Sequence, residues 1–565
     1  MPFEDFTLSF KTGPRAPLAN SLSCGPANPV ALLTPYSGQP ATAASIASFS
    51  VEGSGSKGAC PAPLPFALTQ SSPPQSPATA GAYSPFGVDF ARGDGQQYLS
   101  AVQTTLPPGL LGAIPPVPLC AEPQAAAGTC STASEIGTVA VAAGAGAEPY
   151  TFTGHVYLTG PYAGAPYGMT IVVPAVAGPY NFGNVVTRAK ITVGEYSGRV
   201  TVTALLPAIQ AGVPLRLKNI DLTVNRPNFL FNPTNCALLA TESALAGFTT
   251  LTAGGAPTTA TQGLSTPFQV GECAKLPFKP ALSAYSGAKT SRAGGASLEV
   301  KVTQAAHEAN IRQLLLTLPK QLPSRSSTLK KACLAATFEA GPAPGGCTEA
   351  AKVGTVTVST PVLPGTLSGP AYLVSHGGEA FPDLDLILRG DGVQVVLVGH
   401  TNISATGITS SKFETLPDVP ISSVTVTLPT GPQSILAANG NLCTATLTAP
   451  TTIVAQSGAS ITQKTKIAVR NCPVEILKHR TSRKRALLTI LTPAAGRVTV
   501  SGPGLRTVTR RVSEARKFTI KVPLKAAGLS KLSRHRKLKV KLRVKFVPKS
   551  GSAKSRASTR VTFRL

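Results

Sequence analysis

Asp383 and Asp385 stand two apart in Phe381-Pro-Asp-Leu-Asp-Leu386, a spacing that turns both carboxylates to one side of an extended strand, where they could share a calcium ion. Their counterparts in the internal repeat set out below, Gly168 and Thr170, are not acids, so the pair reads as two polar residues on a solvated face. His307-Glu308-Ala309-Asn310-Ile311 opens like a zincin helix but lacks the second His that would chelate zinc. Leu428-Pro-Thr-Gly431 falls one residue short of a wall-sorting signal, is internal, and precedes no membrane segment. No nucleophile elbow, phosphate-binding loop or dinucleotide fingerprint occurs. His155, His376, His400, His479 and His535 are scattered and pair with no acid or cysteine in a repeat-wide pattern. The expectation is a non-enzyme with no cofactor and no metal.

The ten cysteines carry more information. When the sequence is slid against itself by about 213 residues they fall into register. Cys24, Cys236 and Cys443 become equivalent, each followed by a second Cys at 60, 273 and 472; Cys120 and Cys130 match Cys333 and Cys347. Other landmarks follow in the same order: Leu106-Pro with Leu318-Pro, Ile136-Gly-Thr-Val with Val353-Gly-Thr-Val, Gly154-His-Val-Tyr-Leu with Gly369-Pro-Ala-Tyr-Leu. So many ordered matches mark an internal repeat. Pairs 36, 37 and 29 apart, and 10 and 14 apart, suit a disulfide framework. Spacing leaves the connectivity open; the repeat narrows it, since each copy must close alike. Zinc is the weaker reading, with no C-x-x-C and no His at ligand spacing from a Cys pair.

Disulfides imply an oxidising compartment. The start, MPFEDFTLSF, has early acids, no basic segment and no apolar core, so it is not a signal peptide. Met1 falls inside a repeat copy. The expectation is therefore a truncated reading frame whose upstream part holds the export signal, and an extracellular or cell-surface location. No apolar run reaches the eighteen or so residues of a membrane helix.

Gly (53) and Pro (51) make about 18 % of the chain against roughly 12 % in average proteins, and they are spread throughout. With Thr and Val dominating the apolar-periodic stretches, this predicts an all-β chain of many short strands, with short helices at most. Gln304–Leu316 fits a short helix, although Leu314–Leu318 reads equally well as a strand. The expected organisation is the C-terminal part of a truncated copy over residues 1–60, full copies over 61–273 and 274–472 with two immunoglobulin- or fibronectin-like β-sandwich modules each, and a basic sandwich over 473–565.

Composition changes sharply after Cys472. Residues 473–565 hold 26 Lys and Arg against two acids, Glu475 and Glu514, and so carry 24 of the 28 net positive charges. Lys537, Lys539, Lys541, Arg543 and Lys545 alternate with Leu538, Val540, Leu542, Val544 and Phe546, which predicts a strand with one wholly cationic face. Phe518, Phe546 and Phe563 alternate inward, leaving no aromatic platform for base stacking, so specific nucleic-acid binding is not expected. An anionic wall polymer or anionic lipid surface is the expected partner. Without Trp the chain lacks the commonest sugar-stacking residue, though Tyr162 and Tyr167 could form a small aromatic cluster on a loop. Tyr157 and Tyr372, equivalent in the repeat, read as packing residues.

Tyr150-Thr-Phe-Thr-Gly-His-Val-Tyr-Leu-Thr-Gly-Pro-Tyr162, Phe231-Asn-Pro-Thr-Asn-Cys236 and the Lys-rich close of the chain together resemble large exported repeat proteins of high-GC soil actinobacteria. Leu436-Ala-Ala-Asn-Gly-Asn-Leu-Cys443 departs from that pattern in the second copy. The resemblance implies an exported, non-catalytic structural or adhesive envelope protein and supplies no site. A glycan-binding module, or the tail of a longer secreted enzyme, are the alternatives.

Overall fold

The computed structural model describes residues 4–13, 16–20, 24–45, 47–53, 61, 64–73, 78–248, 260–482, 484–549 and 554–565. The chain is all-β. Its N-terminal segment forms two small exposed pairings, Gly25–Ala27 with Phe49–Val51 and Val30–Leu33 with Thr42–Ser45.

Each repeat copy is built on eleven strands. In the first, spatial order runs Thr261–Phe268, Leu239–Phe248, Tyr98–Thr105, Val200–Leu205, Tyr180–Val193, Tyr167–Ala177, Tyr150–Thr159, Glu135–Ala143, Leu217–Val224, Phe86–Ala91, Thr69–Ser71. The second copy repeats that order strand for strand. It runs Ser460–Arg470, Thr448–Ala455, Ile311–Thr317, Thr409–Phe413, Val393–Ile403, Asp383–Gly390, Thr366–Ser375, Lys352–Ser359, Ser423–Leu428, Leu298–Thr303, Ala281–Gly287. The eleven strands of each copy thus form one continuous sheet where two separate sandwiches were expected, because the run of consecutive hairpins (residues 135–205 in the first copy) is extended on both sides by strands distant in sequence, Tyr98–Thr105 beside Val200–Leu205 and Leu217–Val224 beside Glu135–Ala143. Ile311–Thr317 is a strand, so the helical alternative for that stretch falls.

Both sheets curl until their ends meet. In the second copy, Ala281–Gly287 pairs parallel to Ser460–Arg470, with Ala284 opposite Ile467, which closes the ring. In the first copy side chains make the junction. The Gln262 amide accepts from Leu68 N (2.7 Å) and donates to Leu68 O (2.9 Å), imitating a backbone ladder, and Gln70 Nε2 donates to Thr241 O (3.2 Å). Closure removes the exposed edges that would otherwise pair with another chain.

Several repeat landmarks find their reason here. A Cβ on Gly137 would strike Thr223 O of the neighbouring strand, and one on Gly354 would strike Thr427 O. Gly154 and Gly369 meet Val172 O and Ile387 O in the same manner. The strands beside Gly137 and Gly354 both shift register at that point, so glycine lets adjacent backbones approach at an equivalent bulge in each copy.

Four disulfides close locally: Cys120–Cys130, Cys236–Cys273, Cys333–Cys347 and Cys443–Cys472. Cys24 is disulfide-bonded too, while Cys60 lies outside the described residues. The Cys333–Cys347 loop lies over the outer face of the second sheet. There Phe338 (1 % exposed) packs edge-on against Tyr372, with Val374, Ile387 and Val396 beneath it. Replacing Cys333 and Cys347 by serine frees a loop of 14 residues and is expected to cost about 3 kcal/mol. Denaturant midpoints of the oxidised protein and the double variant check this.

The last module is a sandwich of a three-stranded sheet (Glu475–Ser482, Arg485–Thr492, Arg516–Pro523) and a four-stranded one (Val508–Val512, Gly496–Ser501, Lys537–Pro548, Ser555–Arg564). Leu542, Val544 and Phe546 meet Leu488, Ile490 and Ile520 in its core. Helix Ala526–His535 seals one end through Leu532.

Candidate anion-binding face and buried carboxylates

Strict alternation along Lys537–Pro548 places Val540, Leu542, Val544 and Phe546 inside the sandwich and leaves Lys537, Lys539, Lys541, Arg543 and Lys545 exposed. Pairing then sets cation against cation. Lys537 stands opposite Arg564, Lys541 opposite Arg560 and Lys545 opposite Arg556; on the far strands Arg497 stands opposite Arg511. Among the described residues the outer face of the four-stranded sheet therefore holds ten cations and no acid. Among the described residues, no Lys or Arg of this module makes an ion pair. Phe518, Phe546 and Phe563 are all buried, so the face offers no stacking platform.

A second cluster lies on the repeat. The solvated face expected for Asp383 and Asp385 is overturned: they are 6 % and 1 % exposed. Leu384, Leu386 and Leu388 take the inner side of that strand, and the Cys333–Cys347 loop covers the outer side, so both faces are buried. Asp383 Oδ2 receives His400 Nδ1 at 2.9 Å and has His376 Nε2 at 3.7 Å. Glu379, held by Ser375 Oγ (2.6 Å), joins the two histidines around an open recess with Asp383 in its wall. Among the described residues Asp385 Oδ1 has no hydrogen-bond partner, and burial, with the neighbouring charges of Asp383 and Glu339, pushes this carboxyl up to about 7. Elsewhere His155 Nδ1 meets Glu135 at 2.9 Å. Histidines thus do pair with acids, but at positions that are not equivalent in the two copies. Among the described residues no group of three or more His, Cys, Asp or Glu is placed to hold a metal ion.

A third cluster joins the copies, and sequence reasoning missed it. Asp418 accepts from Thr234 N (2.8 Å), Thr234 Oγ1 (2.7 Å), Asn235 N (3.2 Å) and Asn310 Nδ2 (2.7 Å). The Phe231-Asn-Pro-Thr-Asn-Cys236 motif supplies two of these residues. Its Asn232, fully buried, ties Ser84 Oγ and Thr79 O at 2.8 and 2.9 Å. The motif was the available signal, since two buried polar residues in it had no partner nearby in sequence. A second inter-copy contact comes from the turn after Tyr180–Val193, where Glu195 accepts from Gln394 Nε2 (2.6 Å) and its carbonyl from Val396 N (2.8 Å). In the second copy, Asn441 Nδ2 reaches Glu475 of the basic module at 2.6 Å. Each module is therefore tied to the next by directed polar bonds.

The aromatic cluster expected of Tyr162 and Tyr167 does not stand open. Tyr167 is buried, and the Arg188 guanidinium lies 4.2 Å above the Tyr162 ring while forking onto Glu122. Tyr157 and Tyr372 are buried, and burial raises both phenols.

No protein-family model and no curated protein matches this chain. Among solved structures, Escherichia coli alpha-2-macroglobulin activated by porcine elastase aligns over 96 % of this chain and 47 % of its own, with 11 % identity and a TM-score of 0.16. The chain thus spans about half of that macroglobulin's length. The BSP domain of a biofilm associated protein aligns over 87 % of this chain and 81 % of its own, with 8 % identity and a TM-score of 0.15. At these scores neither likeness carries an argument about function.

Proposed function

We propose that this chain is a non-catalytic extracellular structural protein whose repeat copies form a stapled, stiff spacer and whose last module holds it to an anionic surface. The carrying observation is the set of cross-strand cation pairs. Like charges directly opposite in an antiparallel pair are destabilising, and edge protection is the usual excuse for lysine on a sheet. That excuse covers Lys537, Lys539 and Lys541, which pair on one side only, but it fails for Arg543 and Lys545, where the strand is flanked on both sides by Gly496–Ser501 and Ser555–Arg564. A polyanion laid across the face would relieve the repulsion. Disulfides support a location outside the reducing cytoplasm, and no helix of the described residues is long and apolar enough to cross a membrane.

The test is co-sedimentation of the full chain with phosphatidylglycerol–phosphatidylcholine vesicles, and retention on polyglutamate resin as the polymer arm. Basic residues near an anionic surface contribute about 1 kcal/mol each. Changing Lys537, Lys539, Lys541, Arg543 and Lys545 together to glutamine is therefore expected to weaken binding more than about a hundredfold. Raising salt should do the same for the parent chain, as screening shortens from about 10 Å at 0.1 M to about 3 Å at 1 M. Equal binding by parent and variant would refute the reading.

A further inference from the structure

The number of strands has a consequence for the interior. About eight strands close a barrel that side chains alone can fill, whereas wider barrels enclose a cavity, and eleven-stranded cans carry a helix along the axis. Here eleven strands close in each copy, and among the described residues the space inside is left chiefly to Val, Leu, Ile and Phe. They do not fill it. In the second copy Val300, Leu316, Leu397, Val424 and Val426 sit mid-sheet and point inward, yet each is only partly buried.

Apolar chambers result among the described residues. One of about 200 Å³ lies in the second copy. Two of about 240 and 250 Å³ lie in the first. They are in line: Gly198, Thr360, Leu367, Val395 and Val419 wall both the second-copy chamber and its neighbour, and Ile171, Leu206 and Ile220 wall both chambers of the first copy. Among the described residues no charged side chain lines any of them. Thr104 and Thr360, two of the few polar side chains present, have their hydroxyls tied to Ser243 Oγ and Pro420 O. Protein interiors are otherwise close-packed, and an apolar cavity of about 150 Å³ already accepts benzene. The outermost chamber is walled by Tyr150, Phe152, Phe182 and Val213; Tyr150 and Val213 are exposed, as is Tyr180 beside Phe182, so that end carries an aromatic, partly wet rim.

We infer that the joined interiors of the two copies bind an aliphatic hydrocarbon chain of a lipid-class molecule, entering past Tyr150 and Phe182. Chambers in line suit an extended chain better than a compact ring. The uncharged wall requires that any polar head stay at the rim. This role is independent of the basic face.

Titration of the full chain with the neutral fluorophore N-phenyl-1-naphthylamine tests it. The parent protein is expected to take up the dye saturably and to release it to dodecane or dodecanoate. Release by dodecane shows that the chain alone suffices; release by dodecanoate only shows a carboxylate head held at the rim. Ile171→Phe with Ile220→Phe fills the wall shared by the first-copy chambers and is expected to weaken uptake at least tenfold with no fall in melting temperature. Should that pair fail to fold, Val202→Leu and Val424→Leu each narrow one chamber more gently and are expected to weaken uptake severalfold. Absence of saturable uptake by the parent, or uptake unchanged in a folded filled variant, overturns the inference.

Discussion

Replacing Asp418 with alanine is expected to cost about 3–5 kcal/mol and to split one unfolding transition into two. The carboxylate is 6 % exposed and accepts four hydrogen bonds, three of them from the first repeat copy and its motif. Burial alone pushes the Asp418 carboxyl up, and the donors of Thr234, Asn310 and Asn235 pull it back. Alanine would strand the amides of Thr234 and Asn235 and the side-chain amide of Asn310 away from water, at about 1–3 kcal/mol for each unsatisfied buried group. Relaxation cannot easily close the gap. Gly109, at a positive φ of 86°, already lies against Asp418 and Pro233, where a Cβ would collide. Asp418→Asn keeps the size and one good acceptor but turns an amide toward donors, so an intermediate loss is expected. Guanidinium unfolding followed by far-ultraviolet dichroism and by tyrosine fluorescence checks both variants. A loss under 1 kcal/mol for the alanine variant, with coincident probes, would show that the copies are not held through this carboxylate.

Sequence and structure agree where the physics is local. The alternation of Lys537–Phe546 is a property of the pleat, and the burial pattern follows it residue by residue. Cysteine pairs 10, 37, 14 and 29 apart close as short loops, which spacing can suggest. Ring closure was not legible, because it depends on contacts such as Leu68 with Gln262, 194 residues apart, and a period of two says which face a side chain takes but not which strand lies beside it. Asp383 and Asp385 show the same limit. Their spacing correctly turned both toward one side, yet nothing local reveals that a disulfide loop from fifty residues earlier lies over that side. Asp418 is the extreme case: its main partner, Thr234, is 184 residues away, and only the buried polar pair within Phe231–Cys236 hinted at a distant anchor.

Asp385 makes the largest prediction that pH can read. An aspartate of the unfolded chain titrates near 4, whereas in the folded protein this one is pushed up to about 7. Between those values the folded state holds a proton that the unfolded state has lost, so stability falls as pH rises from about 4 to about 7 and is flat in this contribution above that. Displacement by about three pH units corresponds to something on the order of 4 kcal/mol. The cause is chiefly burial beneath the Cys333–Cys347 loop; Asp383 and Glu339 add like charge, and Oδ1 finds no donor among the described residues. Asparagine has nearly the same shape and never ionises. Asp385→Asn should therefore match the parent at pH 4.5 and exceed it by several kcal/mol at pH 8, read from denaturant midpoints at both values. Asp383→Asn separates burial from repulsion. It removes the nearer like charge, so it should recover a minor part of the difference, and it also exchanges the charged acceptor of His400 for a neutral amide oxygen, which costs some of that gain. Parallel stability curves for the parent and Asp385→Asn across this range would mean that the Asp385 carboxyl reaches water or a donor in solution, and the loop would then have to open over it.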